Sequence, residues 1–345
     1  MENLWFIAVA CIALLILFAF TNGFHDTANV VATVIASRVM TPTQAILLVT
    51  AFTFLGPLLA GTAVADTVGN FVILDDLPAG MGIGVVLSGV AGAALLNFLT
   101  WWFGLPSSSS HALVGGLTGV VLVTTGADHV VWGWQILLEE GRWTGLTKIF
   151  AALLISPLAG FAVGLILHKL MRLFLRSARP NINQHLGRLQ WLGAAWLAFA
   201  HGANDAQKSM GVITMVLVLA GLIPQFEVPL WVILLCASAI TLGTVSGGWR
   251  IIRTVGFGIY RLRRLHAFES QLSSAMVISG AAFVGGPVST THVVNSTIMG
   301  IGAAERAKAV RWSKAAEIGF TWLVTLPAAG LFAIGVHFLL TRWWL

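Results

Sequence analysis

The sequence predicts an all-α polytopic membrane protein of about ten spans, built as two five-span halves in an inverted-topology repeat. Three observations lead there. Of 345 residues, 57% are hydrophobic and only 9% are charged, against roughly 25% charged in soluble domains. Apolar runs long enough to cross about 30 Å of hydrocarbon recur along the whole chain. Two short polar motifs each occur twice, at nearly the same offset. So few charges exclude a soluble globular protein, and the repeated apolar runs exclude a disordered or collagenous chain.

The first apolar run covers 4–37. It lacks a basic leader and a small-residue cleavage site and is read as a retained span. Further runs lie near 43–64, 80–103, 107–126 and 149–170, giving a first half at 1–175. A basic linker at 176–189 leads to a second half at 190–345, with runs near 190–222, 229–248, 271–286, 288–303 and 315–341. Several are too long or too short for a simple crossing of about 20 residues, so broken or re-entrant helices are expected.

Basic residues orient the spans. Lys169, Arg172, Arg176, Arg179 and Arg188 share one loop, and Arg250, Arg253, Arg261, Arg263 and Arg264 share another. With both loops in the cytoplasm, Arg38 and the loop of Arg306, Lys308, Arg311 and Lys314 fall inside. Asp75, Asp76, Glu139 and Glu140 then fall outside, as do both termini, in a cytoplasmic (inner) membrane. The net charge of +6 is thus a topology signal, with no aromatic-interleaved basic surface for nucleic acid. Cys11 and Cys236 lie singly in apolar runs and give no disulfide or metal pattern. Paired tryptophans at span ends, such as Trp101-Trp102, suit an interfacial belt in the lipid bilayer.

Gly23-Phe24-His25-Asp26 matches Gly202-Ala203-Asn204-Asp205 at an offset of 179, and the run from Pro106 to His111 matches that from Pro287 to His292 at an offset of 181. A duplicated unit with an odd number of crossings enters the membrane from opposite sides in its two copies. Transporters of this construction bind substrate near the midplane, where discontinuous helices meet.

Asp26 and Asp205 sit inside apolar runs, where an ionisable group costs at least about 2.5 kcal/mol on insertion scales. Repetition of that cost points to function. With Asn29, Asn204 and His25 they form the candidate coupling-ion or proton group. Each Pro-hydroxyl-His motif is expected to start a new helix, with the proline at its first position. Ser108, Ser109, Ser110, Ser289, Thr290 and Thr291, with freed backbone N–H groups, would make a nest for a tetrahedral oxyanion. The competing reading has these hydroxyls bonding back onto their own helices. Gln207 and Lys208 complete the candidate substrate-binding set. Lys208 stands where the first half has Asn29, so it attracts the anion, neutralises Asp205 or fills the space of a coupling cation. His25, His111, His201 and His292 adjoin the motifs, where imidazole suits proton transfer and, equally, hydrogen bonding at a helix cap.

At these motifs the chain resembles the inorganic phosphate transporter (PiT) family, in particular its bacterial low-affinity branch. The resemblance rests on NGFHDTANVVATVIASR at 22–38, GLPSSSSHALVGG at 104–116, AHGANDAQKSMGVI at 200–213 and PVSTTHVVNSTIMG at 287–300. It implies an inverted-repeat symporter, a homodimer, carrying inorganic phosphate with sodium or protons. Its site would be lined by Asp26, Asn29, Asp205, Gln207, Ser108–Ser110 and Ser289–Thr291. Sodium-coupled members read Gly-x-Asn-Asp-x-x-Asn in both repeats. Here His25 and Lys208 replace one Asn in each half, which favours protons over sodium. No resident cofactor or metal is expected, although the resemblance allows a divalent metal to accompany phosphate as co-substrate. A sulfate permease is the nearest alternative, and two carboxylates favour phosphate because its retained O–H needs an acceptor. An enzyme is not expected: Ser110-His111 as a hydrolase pair fails because adjacent helical residues do not face each other. A passive anion channel differs from a carrier only in coupling.

Overall fold

The computed structural model describes residues 2–105, 107–178, 181–247 and 262–343. Pro106 and the basic residues Arg179, Arg250, Arg253 and Arg261 lie outside these residues. Twelve α-helices occur among the described residues: α1 Glu2–Ser37, α2 Pro42–Leu59, α3 Ala63–Gly69, α4 Ala79–Trp102, α5 Ser109–Thr124, α6 Trp134–Glu140, α7 Gly145–Phe174, α8 Ile182–Leu219, α9 Leu230–Ser246, α10 Arg264–Phe283, α11 Thr290–Arg306 and α12 Trp312–Trp343. Ten of them overlie the ten apolar runs. The class is all-α, and the chain is a multi-pass membrane protein.

Local chemistry sets several boundaries. Thr41 and Gln44 close a reciprocal capping box ahead of α2, with Pro42 in its first turn. Arg38 ends α1 with φ 56°, the left-handed conformation that terminates helices. The two longest runs are not broken, contrary to expectation. α1 has 36 residues and α8 has 38, roughly 54–57 Å at 1.5 Å per residue, and neither contains an internal proline. The breaks fall instead between α4 and α5 and between α10 and α11. Gly104 (φ 68°) and Gly285 (φ 71°) occupy left-handed backbone at those two breaks, in equivalent positions of the two motif copies.

The proline expectation is also corrected. Pro287 precedes the N-cap Ser289 by two residues, so it shapes the extended approach to α11 and is not its first residue. Ser108 caps α5 in the same way.

α1, α2, α4, α7 and α12 are long and apolar enough to cross a membrane, and α5 and α9 are shorter apolar helices. α8, α10 and α11 are more polar. Their polar residues from His201 to Ser209, from His266 to Ser274 and from Thr290 to Thr297 are buried inside the protein, which is where a membrane helix tolerates polar groups. The halves interlock: α1 packs on α9, α8 on α2, α7 on α11 and α12 on α5. Small residues allow these approaches. A Cβ added to Gly23 would come within 2.0 Å of the Ile240 carbonyl oxygen, and one on Gly202 within 2.2 Å of that of Thr53. Each glycine lies three residues before an aspartate, so the same close contacts that fuse the halves place Asp26 and Asp205 at the centre.

Candidate functional site

α5 and α11 start inside the protein, and α1 and α8 pass beside those starts. Ser108 and Ser289 accept the N–H of His111 and His292 at 3.2 and 3.3 Å, so each satisfies one of the orphan donors of a helix start. For these two hydroxyls the bonding-back reading holds. The next two hydroxyls on each helix reach across instead.

Ser109 donates to Asp26 Oδ2 (3.3 Å) and Thr290 to Asp205 Oδ2 (3.1 Å). These are equivalent pairs. Thr291 donates to Asp26 Oδ1 at 2.9 Å, and Asn29 Nδ2 donates both to Asp26 Oδ1 (3.0 Å) and to Thr291 Oγ1 (2.8 Å). On the other side, Lys208 Nζ donates to Asp205 Oδ1, to Ser110 Oγ and to the Val288 carbonyl at 2.7 Å, and Ser110 also donates to that carbonyl at 2.9 Å. The pattern therefore repeats. In each copy the residue three after the aspartate bridges to the second hydroxyl of the opposite half.

An ammonium has three donors, and all three of Lys208 are occupied by oxygens. Those oxygens, a carboxylate, a hydroxyl and a carbonyl, are the ligand types that hold a hard cation. Lys208 is 1% exposed and its charge is balanced where it lies, as burial demands.

Each aspartate also meets a histidine. His25 Nδ1 is 3.1 Å from Asp26 Oδ1, and His201 Nδ1 is 2.8 Å from Asp205 Oδ2. Behind the hydroxyls His111 and His292 pack ring to ring with centroids 4.5 Å apart, and Trp322 stacks on His292 at 3.9 Å. These two imidazoles buttress the helix starts and make no contact of hydrogen-bond length with either carboxylate among the described bonds.

Two expected members stand apart. Gln207 Oε1 accepts the N–H groups of Val64 (2.8 Å) and Ala65 (3.3 Å). It closes the start of α3, for which Thr62 supplies no side-chain cap, and does not join the Asp205 network. Asn204 donates to the Gly286 carbonyl at 3.1 Å and accepts the Val288 N–H at 3.2 Å. Both its polar atoms are thus spent on the segment leading into α11, and it positions that segment. His25, its equivalent, reaches Ser107 Oγ at 3.5 Å, the corresponding place before α5.

The Val288 carbonyl was not foreseeable from residue types, because a backbone acceptor carries no sequence signal. A cavity of about 630 Å³ between α7 and α10 reaches Gly286 and Val288. Lys148 lines it and donates to Thr67 at 3.0 Å; a lone lysine immediately before the apolar run 149–170 was the available clue.

Residues 22–333 match the phosphate transporter family. The chain is 36% identical over 342 residues to a "Probable low-affinity inorganic phosphate transporter" of Bacillus subtilis (strain 168), covering 99% of each chain. It is 39% identical over 332 residues to a protein of the same name from Rhizobium meliloti (strain 1021), covering 96% of this chain and 95% of that one. A solved structure, "The sodium-dependent phosphate transporter", superposes with a TM-score of 0.86 at 23% identity, over 98% of this chain and 99% of the other.

Proposed function

Because this chain belongs to the phosphate transporter family, we propose that it is a secondary symporter that moves inorganic phosphate across the cytoplasmic membrane with protons. One observation carries the coupling: the hydroxyls offered for the oxyanion are the same groups that now donate to Asp26 and Asp205. A carboxylate accepts only, whereas a carboxylic acid also donates. Protonating Asp26 weakens its hold on Ser109 and Thr291, which can then donate to phosphate, and bound phosphate in turn favours the protonated acid. Proton and anion binding are then linked, and linkage is reciprocal.

Electrostatics support the same direction. With neutral imidazoles, two carboxylates and one ammonium leave the site at −1, so an anion enters against charge unless a cation comes with it. In the Asp205 half the oxygen cage is filled by Lys208 Nζ. In the Asp26 half Asn29 turns N–H groups, and no oxygen, toward Asp26 and Thr291. The oxygen cage at Asp205 is therefore already taken, while in the Asp26 half the buried Asn29 Oδ1 has no hydrogen-bond partner. Ser109, Ser110, Thr290, Thr291 and Lys208 are thus the substrate contacts, Asp26 with His25 the proton carrier, Asp205 the anchor of Lys208, and Asn29 the link between Asp26 and α11.

Sodium coupling is the second reading, favoured by the structurally similar protein, which is named as sodium-dependent. The test is phosphate uptake into liposomes under an imposed pH gradient, with and without a sodium gradient and Mg²⁺, with sulfate as competitor. Accumulation driven by the pH gradient alone supports proton symport. A requirement for sodium refutes the coupling argument while leaving the substrate, and transport of sulfate alone refutes the substrate.

A further inference from the structure

Away from the aspartates, at the basic end of α7, a second polar cluster joins three helices. His168 of α7 is 1% exposed, and His266 and Glu269 of α10 are 3% and 0% exposed. His168 Nδ1 lies 2.8 Å from Glu269 Oε2, and its Nε2 lies 2.9 Å from Glu305 Oε2 of α11. The His266 ring stands 5.4 Å from that of His168, centroid to centroid. One nitrogen of His168 and of His266 and one oxygen of Glu305 all lie within 4.8 Å of one another. The three residues line a cavity of about 1030 Å³.

We propose that His168, His266 and Glu305 bind a divalent cation of the zinc or cobalt type, with Glu269 orienting His168. A neutral imidazole has one N–H, so it serves only one of two flanking carboxylates. A cation placed between Nε2 and Glu305 satisfies both sides at once. Glu269 on Nδ1 is then the outer carboxylate that fixes tautomer and ring orientation in histidine metal sites. Two nitrogens and one oxygen are a borderline donor set that suits zinc over magnesium or calcium. Zinc bonds of about 2.0–2.1 Å set tetrahedral ligand atoms roughly 3.4 Å apart, so Nε2 and Glu305 Oε2, now 2.9 Å apart, must open while the wider gaps in the set close; Glu305, whose side chain is 30% exposed, has room to move. The 3.4 Å bond from the Arg263 N–H to His266 Nδ1 is the contact that ligation at that nitrogen replaces.

Charge decides the rest of the coordination. Glu269 and Glu305 cancel a divalent ion. The fourth position opens on the cavity, whose other walls include Lys169, Arg172, Arg176, Arg263 and Arg264, so it takes water or a small anion. α11 runs from Thr290 to Arg306, about 25 Å at 1.5 Å per residue. A cation at Glu305 therefore ties the far end of the helix bearing Thr290 and Thr291 to α7 and α10.

The test is titration of tag-free, full-length protein in detergent and phosphate-free buffer with Co²⁺, read by its visible absorption and by calorimetry, followed by Zn²⁺ displacement. One Co²⁺ per chain, displaced by Zn²⁺, is expected. Glu269→Gln weakens it by about 10- to 100-fold, Glu305→Gln and His266→Gln each weaken it further, and His185→Gln has no effect. Gel filtration and circular dichroism establish which variants fold, and His266→Gln carries the test if Glu305→Gln does not. Absence of Co²⁺ binding in the unsubstituted protein overturns the proposal, as does unchanged affinity in the folded ligand variants; His168 is then an imidazolium held between two carboxylates.

Discussion

Lys208→Met removes one charge from the centre of the protein and keeps an apolar stem of similar reach. The Val288 carbonyl loses the ammonium but keeps the Ser110 hydroxyl at 2.9 Å, so it is not orphaned. Asp205, 1% exposed, keeps Thr290 at 3.1 Å and His201 at 2.8 Å and loses its lysine counter-charge. Breaking a buried pair from one side costs about 3–5 kcal/mol, or roughly two to three and a half powers of ten in the folding equilibrium. Asp205→Asn strands the lysine at a similar cost. The double variant leaves no unpaired charge, since the asparagine still accepts from Thr290, and is expected to recover at least about 2 kcal/mol of the summed loss. Unfolding by SDS in mixed micelles, followed by the fluorescence of the 14 tryptophans, measures all four proteins. Additive losses would show that Lys208 and Asp205 are not an energetic pair, and the view of Lys208 as the occupant of a cation cage would fall with it.

Asp26→Asn mimics the protonated acid: downhill phosphate exchange in liposomes is expected to persist while accumulation under a pH gradient is lost, and retained accumulation refutes Asp26 as the proton carrier. Ser109→Ala and Thr290→Ala each delete one hydrogen bond to an aspartate, worth about 0.5–3 kcal/mol; both are expected to raise the KM for phosphate by similar factors, as equivalent positions should. Gln207→Ala uncaps α3, costing about 0.5–2 kcal/mol in thermal stability by analogy with other helix caps, with the KM for phosphate unchanged; a raised KM would return Gln207 to the substrate site. Gly202→Ala drives a methyl into the Thr53 carbonyl, and overpacking of this kind costs about 1–3 kcal/mol or more, so a reduced yield of monodisperse protein is expected by gel filtration.

The helices were legible because lipid leaves the backbone no alternative partner, so every apolar run of sufficient length becomes a helix. The candidate site was legible through repetition: Asp26 and Asp205, with the hydroxyls after Pro106 and Pro287, stood out as costly residues placed twice. Within the motifs the sequence did not separate roles. Ser108 and Ser109 are neighbours of one type, yet one caps α5 and the other reaches Asp26. Asn204 and Gln207 flank Asp205 with the same amide chemistry, yet Asn204 spends both polar atoms on backbone and Gln207 its oxygen, the Gln207 Nε2 staying buried without a partner. His168, Glu269 and Glu305 lie far apart in the chain and carry no motif, so nothing but packing reveals that they meet.

Composition, apolar run length and the two repeated motifs thus determined by themselves that the chain is an all-helical membrane protein with a duplicated, carboxylate-bearing centre. These are local or periodic properties, and they survive in one dimension. Tertiary structure alone decided that α1 and α8 run unbroken, that the halves interlock through Gly23 and Gly202, and that Lys208 fills the oxygen cage at Asp205. Each of those depends on groups far apart in sequence arriving within a few ångströms, and only the packed fold sets that distance.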